Sequence, residues 1–219
     1  MSAIFKREFK TFFTSPIGYF VLAVLFGFSG FYFFASNMYA GSADLSGVFG
    51  GLFTIVLLLV LPVLTMRLLS DDKRQRTDQA LLTAPVSLTG IALGKFLAAL
   101  LLFAIGISIT LVFAIIIAFQ VTPDWLVIVG NYVGLLLLGG MVIAIGLFIS
   151  SLTESQFIAA LGTFVASFAM IMVDSLGSVF SSVKWITSVV NFISVSSRYN
   201  DFTSGIINYD NVVFFLSIQ

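Results

Sequence analysis

The stretch RLLSDDKRQRTDQALLTAPVS, residues 67–87, carries seven of the twenty charged residues in a chain of 219 that is 59% hydrophobic and 9% charged. The flanks of this stretch are almost free of charge. None occurs between Lys10 and Asp44, between Asp44 and Arg67, or between Lys95 and Asp124. The same holds between Asp124 and Glu154 and between Glu154 and Asp174. Each gap holds enough residues for the roughly 20 that a spanning helix needs. Helices are therefore expected at about 17–37, 47–66, 92–119, 126–150 and 156–173. A soluble domain carries about 25% charged residues, and a mean hydropathy of +1.13 leaves too little polar surface for one. The fold class that follows is an all-α polytopic membrane protein with five complete spans. A partial sixth is expected at 209–219, where DNVVFFLSIQ ends after nine uncharged residues, which reads as a truncated span. The first apolar run is too long for a signal-peptide core, and no small-residue cleavage pattern follows it.

Basic residues orient the spans. Lys6, Arg7 and Lys10 precede the first span, and Arg67, Lys73, Arg74, Arg76 and Lys95 lie in the 67–95 connection. The 38–46 and 120–125 loops have none, and 174–208 has only Lys184 and Arg198. Positive residues concentrate on the cytoplasmic side. The N-terminus, the 67–91 loop and the Glu154 turn are accordingly expected in the cytoplasm of a cell-membrane protein. The 174–208 region is then an external interfacial region of short helices lying on or dipping into the outer surface.

The N-terminal segment IFKREFKTFFTSP places Phe5, Phe9, Phe12 and Phe13 at helical spacing, with Lys6, Arg7 and Lys10 on the other side. This predicts an amphipathic interfacial helix over 3–14, anchored to the lipid bilayer through those cations. The alternative is a basic flank that serves topology alone. Pro16 resets the chain before the first span, and Pro62 is expected to kink the second by removing a backbone bond. Glycines within the spans read as packing positions.

The absences narrow the chemistry. There is no cysteine and no histidine, so thiol chemistry, disulfides and imidazole ligands are excluded. No ionisable residue falls near the middle of a predicted span, unlike proton-coupled carriers. No GxxxxGK[ST] phosphate loop occurs, so nucleotide chemistry would have to come from a partner. The neutral net charge gives no sign of nucleic acid as a partner.

Within the charged stretch, Ser70 is placed to cap a helix, with Asp71 and Asp72 in its first turn where the dipole favours them. Asp72 with Arg76, and Arg74 with Asp78, are spaced for pairing along it. Pro85 ends it, and Ser87 or Thr89 starts the next helix. A solvated linker is one reading. Alternating signs on a capped helix better suit a docking surface, where complementary charge sets register and partner.

The longer segment LPVLTMRLLSDDKRQRTDQALLTAPVSLTGIALGKFLAALL, residues 61–102, resembles the permease subunits of ABC-2 type transporters, in particular the gliding-motility and copper-processing branch. The resemblance rests on Leu64–Arg67 (LTMR), Asp72–Lys73 with Thr77–Asp78, Leu81–Ser87 (LLTAPVS) and Gly94–Lys95. FKREFKTFFTSPIGY resembles the family's connecting helix and first span. Family members often carry glycine where this chain has Arg76.

The resemblance implies a non-catalytic permease that pairs with a second permease, as a homodimer or a related heterodimer. It also implies cytoplasmic ABC ATPase subunits, with ATP and Mg on those partners and no cofactor in this chain. The helix 68–84 would be the coupling helix, docking through Asp71, Asp72, Lys73, Arg74, Arg76, Thr77 and Asp78. Glu154 would be a second contact, and Pro62 and Arg67 would relay motion into the second span. A membrane anchor or scaffold for an ATPase is the alternative, since it needs the same docking helix.

Overall fold

The computed structural model describes residues 2–42, 44–74, 87–119, 121–179, 194–205 and 208–219. Every regular element among them is helical. In hydrocarbon a helix satisfies its own backbone polar groups, which an open strand cannot do. Five helical stretches are long and apolar enough to cross a membrane: 16–39, 46–74, 88–118, 125–152 and 156–173.

Helix α1 (Ser2–Thr14) is the amphipathic exception. Phe12 is buried, while Phe5, Phe9 and Phe13 pack partly buried against the core and Lys6 and Lys10 face outward. The aromatic face runs as a ladder, with ring centroids 6.0 Å apart for Phe5–Phe9 and 5.0 Å for Phe9–Phe13. Ser15 leaves the helix in extended backbone, and Pro16 opens α2 (Pro16–Phe33) at the first helical position, where its missing N–H costs nothing. The corner is tight: a Cβ on Gly18 would lie 2.1 Å from the Phe12 carbonyl oxygen.

A π turn, Phe34–Tyr39, ends the first span. Asn37 then donates to the carbonyls of Ser42 and Asp44, folding the loop across Gly41 at φ +68°. The second span comprises α3 (Ser46–Ile55), a π turn at Val56–Val60 and α4 (Leu61–Thr65). The expected disturbance at Pro62 takes this form: the amide of Leu61 reaches back five residues to Val56, just before the residue that has no N–H. A short helix, α5 (Ser70–Arg74), follows.

The third span begins at 88, earlier than the expected 92, and is not one helix. It is α6 (Leu88–Ile107), capped by the Ser87 hydroxyl, and α7 (Ile109–Ala118), broken at Ser108. There the Ser108 hydroxyl donates to the Ala104 carbonyl. Such back-bonding bends helices.

The hub is α8 (Trp125–Leu152), which touches α4, α6, α9 (Gln156–Val179), α10 (Val195–Thr203) and α11 (Tyr209–Ile218). Close approach is bought with glycine on α8. A Cβ at Gly134 would meet Phe202, one at Gly139 would meet Phe103, and one at Gly146 would meet Thr65, all within 3.0 Å. Gly27 and Gly30 of α2, by contrast, have nothing within 4 Å and are not packing positions within this chain.

The apolar stretch 156–173 lies within a helix, α9, that runs on to Val179. Within 174–208, α10 buries Val195, Tyr199 and Phe202 against the bundle, with Tyr199 stacked on Phe53 of α3 at 4.7 Å, and leaves Ser197 and Asn200 exposed. An apolar triplet at helical spacing gives the helix this one buried face. The structure of 180–193 lies outside the described residues.

Candidate site: a charged cluster beneath the first span

Charge gathers where α1, the α4–α5 link, the start of α6 and the α8–α9 turn meet. Lys95 is the centre. It sits eight residues into α6, only 1% exposed. Its ammonium lies 2.7 Å from Asp72 Oδ2 and 3.2 Å from Glu8 Oε1. The preceding residue makes this possible: a Cβ on Gly94 would stand 3.1 Å from Ile4, so glycine lets α1 lie close across α6. Gly94 brings the helix in, and Lys95 fastens it.

The cluster then branches. Arg7 pairs with Glu8 at 2.6 Å and stands 3.9 Å from Asp72. The Glu8 hydrogen bond holds the Arg7 guanidinium above its ordinary value, with the nearby Asp72 carboxylate adding to it and burial opposing. Arg67 donates to the Ser15 hydroxyl at 2.8 Å and meets Asp71 Oδ2 at 3.4 Å. Asp71 also accepts from Gln156 Nε2 at 2.9 Å and lies 3.7 Å from Arg74. Lys73 donates to the carbonyl of Ser151. Five elements are thus tied together around a cleft of about 230 Å³ lined by Arg7, Glu8, Arg67, Asp71, Asp72 and Lys95.

These bonds differ in weight. Arg7 is 48% exposed on its side chain, and exposed pairs contribute little. Lys95 has no water to replace a lost partner, so its bonds cannot be removed one at a time without cost.

Asp71 and Asp72 point their carboxylates into this cluster. Asp72 meets Lys95 and Arg7; its expected pairing with Arg76 falls on a residue outside the described ones. Arg74 is 63% exposed. Arg76, Thr77 and Asp78 lie outside the described residues, as does the 75–84 part of the 68–84 helix. Glu154 is exposed on the turn between α8 and α9, at the same end of the molecule.

The expected capping role of Ser70 is corrected. Its hydroxyl donates backward to the Met66 carbonyl. The cap comes instead from α8: Ser150 Oγ accepts from the amides of Leu69 at 3.1 Å and Ser70 at 3.0 Å. A hydroxyl 81 residues away satisfies the orphan donors, so Ser70 is free to tighten the preceding turn. Substituting Ser150→Ala is expected to cost about 1 kcal/mol. It should speed amide exchange at residues 69–74 while shifting the melting of the bundle only slightly, as hydrogen exchange by mass spectrometry would read.

Glu8, Ser150 and Gln156 are not singled out by the sequence, and Lys95 enters it only as a basic flank and as part of a motif. The one local signal was the Gly94–Lys95 pair, whose lysine looked like an entry residue because the helix was expected to begin at 92. Among the described residues, no group of three or more His, Cys, Asp or Glu is placed to hold a metal ion.

Comparison with curated proteins and with solved structures yields no match. A family model described as ABC-2 family transporter protein matches residues 8–193, from Glu8 of the cluster to beyond the fifth span. With an all-α bundle of five long apolar helices and a match over most of its length, the chain belongs to the ABC-2 family of transporter proteins, as a multi-pass membrane permease.

Proposed function

We propose that this chain is the membrane-spanning permease subunit of an ATP-driven transporter. A separate cytoplasmic ATPase hydrolyses ATP with Mg, and a second permease completes the pathway. The segment that continues from α5 docks on the ATPase. Arg74, with Arg76, Thr77 and Asp78, belongs to the docking face, and Glu154 adds a second contact.

Asp71 and Asp72 take a different part in this reading: they root the docking segment in the cluster. Arg67 and Pro62 pass its motion into the second span. Lys6 and Lys10 hold α1 to anionic headgroups. The excess of basic residues on the N-terminal, 67–95 side supports a cytoplasmic placement of that end in the cell membrane. The residues of 61–102 support the gliding-motility and copper-processing branch.

The observation that carries the reading is the buried Lys95 bridge. A push on α5 cannot leave α1 and α6 behind while Asp72, Glu8 and Lys95 stay paired. Co-purification with an ATPase encoded beside this chain provides the test. Arg74→Glu is expected to weaken the complex several-fold and to change its salt dependence, as an exposed interfacial charge does. Asp72→Asn is expected to leave the complex intact but to remove permease-dependent stimulation of ATP hydrolysis. Unchanged complex formation and unchanged coupled hydrolysis in both variants would sink the docking assignment.

A further inference from the structure

At the other end of α8, roughly 40 Å from Ser150 by the rise of a helix of this length, a cavity of about 500 Å³ opens. It is framed by the N-terminus of α3, the 122–124 loop, the first turns of α8 and the end of α10. Its walls combine two carboxylates, Asp44 and Asp124, with the apolar side chains of Leu45, Phe49 and Ile128. No lysine or arginine lines it among the described residues.

Both carboxylates are held in place. Asp44 Oδ1 accepts from the Ser46 amide at 2.9 Å, and its other oxygen accepts from the Ser46 hydroxyl. Asp124 Oδ1 accepts from the amides of Leu126 at 3.1 Å and Val127 at 3.4 Å. Its Oδ2 has no hydrogen bond among the described residues.

A helix cap at Asp124 and a local turn bond at Asp44 would explain these two residues. Asn131 is not explained that way. It lies about two turns beyond Asp124 on the same face of α8, it lines the same cavity, and it is 0% exposed. Its amide nitrogen donates to the Val127 carbonyl at 2.9 Å, which fixes the orientation of the amide. Its Oδ1 accepts no hydrogen bond among the described residues. An acceptor removed from water without a donor is costly, and Asn131 is one of the residues lining a cavity that lacks a positive charge.

We infer that this cavity binds an organic ammonium group, with Asp44 and Asp124 supplying the counter-charge and Asn131 an acceptor at its floor. A bare metal ion fits less well, because among the described residues no third carboxylate, histidine or cysteine joins the pair. An aliphatic amine fits better. Its N–H groups meet oxygen, and its carbon body meets Phe49, Leu45 and Ile128. The volume falls within the range of roughly 300–1,000 Å³ usual for small-molecule sites. The site is independent of ATPase docking and lies at the opposite end of the molecule. The ammonium belongs either to a soluble amine or to an aminophospholipid headgroup.

The full chain in phosphatidylcholine nanodiscs, titrated calorimetrically with 1,5-diaminopentane, tests this. Saturable one-to-one binding is expected, with no binding of 1,5-pentanediol, which has the same length without charge. The double variant Asp44→Asn with Asp124→Asn keeps the Asp124 cap and the local bond from the Ser46 amide, since the asparagine amide oxygen accepts as the carboxylate does. It should melt like the parent yet bind at least tenfold more weakly. Asn131→Leu should bind at least threefold more weakly. Repeating the titration with phosphatidylethanolamine in the disc separates the sources. Suppressed binding assigns the cavity to a lipid headgroup, and unchanged binding assigns it to a soluble amine. No saturable binding, equal affinity for the diol, or unchanged affinity in the double variant would overturn the inference.

Discussion

Lys95→Met should lower the stability of the detergent-solubilised protein by about 3–5 kcal/mol, the usual effect of removing one partner from a buried ion pair. The methionine fills nearly the same volume, so lost packing contributes little. The damage lies in what remains. Asp72 and Glu8, with side chains 17% and 12% exposed, would face each other without the ammonium between them. Arg7 offsets the loss only in part, because it stands 3.9 Å from Asp72 and is half exposed.

Thermal unfolding followed by size-exclusion chromatography reads the loss. A triple variant, Glu8→Gln, Asp72→Asn and Lys95→Met, isolates its cause. Neutralising the whole group removes the stranded charges, and replacing a buried ionic group by neutral side chains is often close to neutral. Most of the lost stability should therefore return. Lys95→Arg should fall between the two, because the planar guanidinium does not fit the space of an ammonium that is almost wholly enclosed. If Lys95→Met melts like the parent, the cluster is not what holds α1 to α6.

The contrast between this residue and its neighbours shows what was legible in the sequence. Charge-free runs gave the spans because hydrophobic length is a local property, set by bilayer thickness. The amphipathic period of α1 was equally local, and Phe12 and Lys10 lie where it placed them. Ser87 capped α6 as one of the two expected starters.

The partners were not local. Asp72 meets a lysine 23 positions on, a partner that spacing along its own helix does not indicate. Ser150 caps a helix from 81 residues away, and no spacing rule reaches that far. Lys95 reads as a flanking residue because the expected start of α6 is four residues late. With the helix beginning at Leu88 the lysine falls two turns inside, where a charge needs a partner. Side-chain packing hid α10 in the same way. Nothing in SSRYNDF announces that Tyr199 and Phe202 meet Phe53 and the glycines of α8.

Gly146→Ala should have the second large effect, destabilising by about 1–3 kcal/mol through overpacking. A Cβ at 146 would lie 2.4 Å from Thr65 Oγ1 and 2.6 Å from Thr65 Cβ. The hydroxyl could rotate, but the Cβ is fixed to α4, so the helices themselves must separate. Thr65 is also the point where three helices meet. Its hydroxyl donates to the Leu61 carbonyl at 2.8 Å and lies 3.4 Å from Thr163 of α9.

The matched control is Gly27→Ala on α2, where nothing lies within 4 Å. There alanine should be neutral or stabilise by up to about 1 kcal/mol, from helix propensity alone. The two substitutions are chemically the same and should have opposite signs in thermal unfolding. A displaced α8 would also carry Ser150, one turn beyond Gly146, away from the amides of Leu69 and Ser70. Gly146→Ala should therefore speed hydrogen exchange at those two amides, and Gly27→Ala should leave them unchanged. If both variants melt and exchange alike, close packing of α8 on α4 does not position the root of α5, and the Lys95 cluster must hold it alone.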